Sequence, residues 1–139
     1  MQKTYHGSCH CGAVRFQAKA DLTTGSRCNC SICTKARYWK TLVKSDDFTL
    51  LQGKDALADY QFGSKTIHHQ FCRTCGVKVF GRAHLDLEFN GQPLRGEFYA
   101  INIACLDDAT PAELDDLPIS YEDGRADHWE RAPAETGYL

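Results

Sequence analysis

The chain has 139 residues, a net charge of −2 and eight cysteines. This length favours a single domain, residues 1–139, with a core large enough to be stable without crosslinks. Met1–His6 is not apolar enough for a signal peptide and no run of about 18 apolar residues could span a bilayer, so we expect a cytoplasmic protein with no membrane partner.

Charge is distributed unevenly along the chain. Residues 107–124 carry seven acidic side chains and no Lys or Arg, so the remainder, with 16 basic and 11 acidic residues, carries +5. No basic block is long enough to indicate nucleic acid as a partner. Most of the basic residues near cysteines are expected on the solvated surface, but one or two could bind a small anionic substrate. These residues are Arg27, Lys35, Arg37, Arg73, Lys78 and Arg82.

The first cysteine pair lies in a glycine-rich turn, with Cys9 and Cys11 between Gly7 and Gly12. Apolar residues then alternate with polar ones through 14–18, which predicts a half-buried strand. Because the cytosol keeps thiols reduced, clustered cysteines in a cytoplasmic protein indicate metal ligands rather than disulfides. This pair supplies two thiolates and needs a second pair to complete four ligands.

Three further thiols, Cys28, Cys30 and Cys33, fall within six residues. We predict a helical turn over 31–37, which would place Cys30 and Cys33 on one side. Structural zinc takes four protein ligands, whereas catalytic zinc commonly takes three and keeps an open position. The triplet is one ligand short, and substrate, water, Cys105 or a histidine could supply the fourth.

Short strands are predicted at 38–44, 48–51 and 58–62, followed by a turn at Gly63 and a return strand over 66–72. The return strand leads into Cys72-Arg73-Thr74-Cys75-Gly76, and residues 77–81 run away from it. Strand, Cys-x-x-Cys-Gly and strand is the pattern of a zinc knuckle at a hairpin tip. Together with Cys9 and Cys11, it would form a closed, structural four-thiolate site.

The C-terminal part is predicted to contain a loop over 83–97, marked by Asn90-Gly91 and Gln92-Pro93, and then an apolar strand over 98–106, buried on both sides. A short helix over 111–116 begins after Thr110. The tail from Tyr121 is expected to be extended.

Several side chains have competing interpretations. We favour Cys105 as a buried core thiol over a ligand, because it shares the predicted strand face of Ile101 and Ile103. His68 and His69 should point to opposite faces of their strand, so at most one of them can face a given site. The larger aromatic residues near these motifs are expected in the core rather than in a substrate wall; they are Tyr38, Trp39 and Phe62.

The three motifs together resemble those of the glutathione-dependent formaldehyde-activating enzyme and centromere protein V family. They are Gly7-Ser8-Cys9-His10-Cys11-Gly12, Cys28-Asn29-Cys30-Ser31-Ile32-Cys33 and Phe71-Cys72-Arg73-Thr74-Cys75-Gly76. The resemblance covers about residues 5–106, and leaves the acidic segment and tail, 107–139, unmatched. It implies a mainly β fold of small antiparallel sheets, a zinc-braced β-tent with one or two short helices, in agreement with the predicted strands.

The resemblance also implies two zinc ions, a structural one and a catalytic one. The structural ion would be bound by Cys9, Cys11, Cys72 and Cys75, and the catalytic one by Cys28, Cys30 and Cys33. The implied activity is that of a carbon–sulfur lyase acting on a zinc-bound thiol, such as glutathione, and a small aldehyde, as in S-(hydroxymethyl)glutathione synthesis. A zinc-held thiolate can attack a carbonyl carbon at neutral pH. The alternative is a non-catalytic protein-interaction module with two structural zinc sites.

Overall fold

The computed structural model describes residues 1–89 and 91–139, and the fold is mainly β, as predicted. Its strands form one three-stranded and one seven-stranded sheet, joined by two short α-helices and several single 3₁₀ turns. The strands are β1 (Lys3–Ser8), β2 (Arg15–Ala20), β3 (Gly25–Cys28), β4 (Lys40–Lys44), β5 (Phe48–Gln52), β6 (Leu57–Tyr60), β7 (Ile67–Cys72), β8 (Lys78–Phe89), β9 (Gln92–Asn102) and β10 (Ile119–Glu122). The helices are α1 (Ser31–Ala36) and α2 (Pro111–Asp115).

The three-stranded sheet has the order β1-β2-β5 and is antiparallel. Val14, Phe16 and Ala18 are fully buried, while Arg15 and Gln17 between them are not. The predicted alternation of the first strand is therefore confirmed. Its buried face is the one turned toward the second sheet.

The seven-stranded sheet has the order β10-β3-β4-β9-β8-β7-β6. All its neighbouring strands are antiparallel except β10 and β3, which run parallel. The helix α1 follows β3 directly and confirms the helical turn predicted after the cysteine triplet. This order places β10 directly beside β3, the strand that leads into that triplet.

An aromatic cluster fills the space between the two sheets. Phe16 and Phe48 come from the first sheet, and Phe80 and Tyr99 come from the second. The rings of Phe48 and Tyr99 stack in parallel, and Phe80 meets Phe48 edge-on with ring centres 4.9 Å apart. Such pairs add about 1 kcal/mol each beyond the apolar area that they bury, so this cluster fixes one sheet against the other.

The predicted loop over 83–97 is wrong, because β8 and β9 continue through it as a long hairpin. Asn90 lies outside the described residues. The signal was present in the alternation of His84, Asp86 and Glu88 with Leu85 and Leu87, but the loop was predicted from the turn pairs at 90–91 and 92–93. The strands are held in register there by pairs such as Asp86 opposite Arg95, whose side chains form an ion pair.

The strand predicted over 98–106 also ends earlier, at Asn102. The Asn102 side chain accepts a hydrogen bond from the Ala104 N–H at 3.1 Å and thereby starts a 3₁₀ turn over Ile103–Cys105. Cys105 therefore does not share a strand face with Ile101. It is nevertheless buried in the core, as expected.

The helix predicted after Thr110 is confirmed as α2, which starts with a capping box formed by Thr110 and Glu113. The tail was expected to be extended, but its strand β10 and the pairing of that strand with β3 were not predicted. None of the helices in the described part of the chain is long and apolar enough to cross a membrane.

Candidate metal centres

Four sulfur atoms converge where the first turn meets the β7–β8 hairpin. Cys9 and Cys11 lie between β1 and β2, Cys72 ends β7, and Cys75 lies in the turn before β8. All four sulfur atoms lie within 4.8 Å of one another, with Cys9 to Cys11 at 3.7 Å and Cys11 to Cys72 at 3.6 Å. Tetrahedral zinc with bonds of about 2.3 Å places its sulfur ligands about 3.8 Å apart. The donor set and its spacing fit this ion.

The turns that present these thiols depend on two glycines with positive φ. Gly12 has φ of 82° and Gly76 has φ of 78°, a backbone region in which residues with a Cβ are strained. Backbone N–H groups of Val77 and Cys11 point at the sulfur of Cys75 and lower its pKa to about 6. The turn before β8 therefore favours the thiolate of Cys75, which is the form that binds metal.

The triplet forms a second cluster, which begins at the C-terminal end of β3. Cys28 ends this strand, Cys30 is the residue before α1, and Cys33 lies in the first turn of that helix. Their sulfur atoms also lie within 4.8 Å of one another. Within residues 1–89 and 91–139, no other cysteine, histidine or carboxylate joins this group, so Cys105 does not complete it.

The three thiols of the triplet share their protons. Hydrogen bonds with Cys28 and Cys33 lower the pKa of Cys30 to about 2. Hydrogen bonds with Cys28 and Cys30 raise the pKa of Cys33. A half-buried cluster that readily holds one negative charge is suited to a cation. Three soft sulfur donors are consistent with zinc.

Lys40 is the paired cation beside the triplet. Its Nζ lies 2.6 Å from Glu122 Oε1 and 3.0 Å from Ser26 Oγ, and both side chains of the ion pair are largely buried. Burial lowers the pKa of Lys40, but Glu122, together with Cys33 and Cys28, raises it above its usual value. Lys40 therefore stays charged and helps to tie β4 to β10.

Lys78 is a second cation near the triplet. Its Nζ lies 4.0 Å above the centre of the Tyr38 ring and donates a hydrogen bond to Nδ1 of His69 at 2.9 Å. The Tyr38 ring in turn lines a small cavity together with Cys28 and Cys33. Lys78 was among the basic residues predicted either to be solvated or to bind a small anion, and Tyr38 was predicted to lie in the core; no sequence pattern connects either residue to the triplet.

The segment after β10 packs on the triplet from the other side. Asn29, which is only 5% exposed, donates to Asp123 Oδ1 at 2.8 Å and accepts from the Arg125 N–H at 2.9 Å. A Cβ on Gly124 would lie 2.5 Å from the sulfur of Cys28. These contacts span more than 90 residues, so no local sequence pattern could indicate them.

The remaining candidate residues, His68, His69 and Phe62, lie outside both thiol clusters. His68 and His69 face opposite sides, as predicted: His68 contacts Asp59 at 2.7 Å, and His69 is buried against Lys78. Neither histidine belongs to a thiol cluster. The prediction that Phe62 lies in the core is wrong, because its side chain is 42% exposed and lines an open cavity beside His69.

The fold and the two clusters define a mainly β protein with two cysteine sites that can hold metal ions. Residues 4–117 match the family described as glutathione-dependent formaldehyde-activating enzyme. The chain belongs to this family, which confirms the resemblance seen in its motifs. It is also similar to a Rhodobacter sphaeroides protein of known crystal structure, with 31% identity over 83% of this chain and 99% of that chain, and a TM-score of 0.65. The family match ends before β10 and the segment that packs on Cys28.

Proposed function

We propose that the protein is a zinc-dependent carbon–sulfur lyase that reversibly joins a thiol, glutathione or a similar compound, to a small aldehyde. The observation that carries this proposal is the triplet itself, since only three sulfur donors converge there in the described part of the chain. Membership of the glutathione-dependent formaldehyde-activating family supports the same substrate classes. The reaction would resemble S-(hydroxymethyl)glutathione synthesis.

The two clusters have different roles in this proposal. The complete set of Cys9, Cys11, Cys72 and Cys75 would hold a structural zinc ion, because a fourfold sulfur site has no position for substrate. The set of Cys28, Cys30 and Cys33 would hold the catalytic ion. Zinc bound there would supply Lewis acidity, which stabilises the thiolate form of a substrate thiol at neutral pH.

The chain's own residues orient the reaction around the triplet. The substrate thiolate attacks the carbonyl carbon, so that a C–S bond forms and the π electrons move to the oxygen, which takes a proton from water. The proton of the thiol is released to solvent when the thiolate forms. The Lys40–Glu122 pair holds β4 and β10 at the base of the site, and Tyr38 forms its wall.

A non-catalytic zinc module is the second candidate, and one observation favours it. Cys28 is 2% exposed, and the segment at Gly124 lies against its sulfur, so one side of the triplet is closed to solvent. In that case the second ion would brace the chain, and thiols would not change its surroundings.

The test is the rate of thiol–aldehyde adduct formation and release, measured by exchange NMR with ¹³C-formaldehyde and glutathione on protein carrying two zinc ions. We expect a rate above that of the protein-free mixture. Cys30→Ser should abolish this acceleration, whereas Cys105→Ala, which changes a buried thiol outside both clusters, should retain it. Wild-type protein with both ions and no acceleration would contradict the enzyme and leave the zinc module.

A further inference from the structure

Lys78 has surroundings unusual for a lysine. Its Nζ is held between the ring of Tyr38 and Nδ1 of His69. Burial and Lys78 lower the pKa of His69 to about 4, so this imidazole is neutral near pH 7 and accepts from the ammonium. An ammonium has three N–H donors, and His69 takes one of them.

The two lysines near the triplet differ in their partners. Lys40 forms an ion pair with Glu122, whereas Lys78 forms no ion pair with any carboxylate in residues 1–89 and 91–139. A partly buried cation is normally paired, because removing it from water is costly. Lys78 therefore has both the charge and the free donors to bind an anionic oxygen.

Tyr38 links this ammonium to the triplet. The same ring that Lys78 covers lines the cavity formed with Cys28 and Cys33. Burial lowers the pKa of Lys78, and Cys33 and Cys30 partly offset this effect. A small molecule held at the triplet would thus lie against Tyr38, the residue whose ring Lys78 covers.

We propose that Lys78 is a further catalytic residue, whose ammonium donates a charge-assisted hydrogen bond to the aldehyde oxygen as that oxygen becomes negative. This inference rests on the proposed function. The thiolate forms the C–S bond, the carbonyl π electrons move to the oxygen facing Lys78, and water supplies the proton that completes the hydroxyl group. Lys78 keeps its own proton, and Tyr38 and His69 act as positioning residues that fix the ammonium.

The first experiment compares adduct turnover in protein with two zinc ions bound. Lys78→Met keeps the length of the side chain and its packing on Tyr38, but it removes the donors, so we expect the rate above background to fall about 10²-fold. Lys78→Arg retains the charge and should recover most of the rate. The loss should be in kcat, with little change in KM for the thiol. Lys44→Met, an exposed lysine on β4, is the matched control and should not change the rate.

The second experiment uses binding instead of turnover. Formate is a small planar anion that can accept from Lys78, and its binding can be followed by line broadening of ¹³C-formate. We expect broadening with the wild type and with Lys44→Met, but not with Lys78→Met.

The results separate the two proposals. No turnover in the wild type would refute the proposed function, whether or not formate binds. Turnover that Lys78→Met leaves unchanged would refute only the role of Lys78. Loss of zinc from Lys78→Met that excess zinc does not reverse would also refute it, because Lys78 would then serve to balance the charge of the cysteines.

Discussion

Gly124 is a residue at which the tail packs against the triplet. A Cβ there would lie 2.5 Å from Cys28 Sγ and 2.6 Å from the ring of Trp129, distances that real Cβ atoms do not show. Because Cys28 is buried at the end of β3, its sulfur cannot move away easily. We expect Gly124→Ala to lower the free energy of unfolding by about 1–3 kcal/mol and to weaken zinc retention at the triplet.

The matched control is Gly137→Ala, since a Cβ on Gly137 would meet nothing within 4 Å. Urea unfolding and metal analysis on both variants provide the measurement. Equal stability and equal zinc content in the two variants would show that the tail does not press on Cys28.

At the scale of elements, α2 is attached to β1 through a single carboxylate. Glu113 accepts from Lys3 Nζ at 2.8 Å, Tyr5 Oη at 2.9 Å and the Thr110 N–H at 2.8 Å. The bond from Lys3, with those from Thr110 and Tyr5, lowers the pKa of Glu113 from 4.5 to about 2. A lowered pKa in the folded state stabilises the protein above the unfolded value, so this contribution is lost as the pH falls from about 4.5 to about 2.

We therefore predict that Glu113→Gln is less stable than the wild type at pH 7 and that this difference shrinks toward pH 2. The difference between the two proteins is the quantity to measure, by thermal unfolding, because acid releases metal from both. The exposed Glu130→Gln variant should show no such pH-dependent difference. A gap between wild type and Glu113→Gln that is constant with pH would mean that the carboxylate does not anchor α2.

For the whole molecule, how much the sequence could predict depended on how far apart the contacting residues lie along the chain. Cysteines two or three residues apart must lie on one turn, so the members of each motif could be identified from spacing alone. The period of two also predicted the core face of β2. The contacts of Lys78 with Tyr38 and of Asn29 with Asp123 join residues 40 and 94 positions apart, and nothing in the local sequence of either pair indicates its partner. Only the strand order brings them to the triplet.

Because of that strand order, metal ions in the two clusters would connect different parts of the chain. Cys9 and Cys11 belong to the turn of the first sheet, and Cys72 and Cys75 belong to a hairpin of the second, so a metal ion bound by all four joins the sheets. The triplet lies within one continuous stretch after β3, so an ion bound there closes only a local loop. Loss of the first ion should therefore destabilise the protein more than loss of the second.

Cys11→Ser and Cys30→Ser are isosteric changes that test this difference, one in each cluster. We expect each variant to lose one equivalent of zinc. Cys11→Ser should also lose about 3 kcal/mol or more of unfolding free energy, the contribution of a ligand present at a hundredfold excess over its Kd, and hydrogen exchange should accelerate in β1, β2 and β5. Cys30→Ser should leave hydrogen exchange in those strands unchanged, because no cysteine of the triplet lies in or next to them. If Cys30→Ser proved the more destabilising, the triplet would be the structural site, and the catalytic role proposed for it would fail.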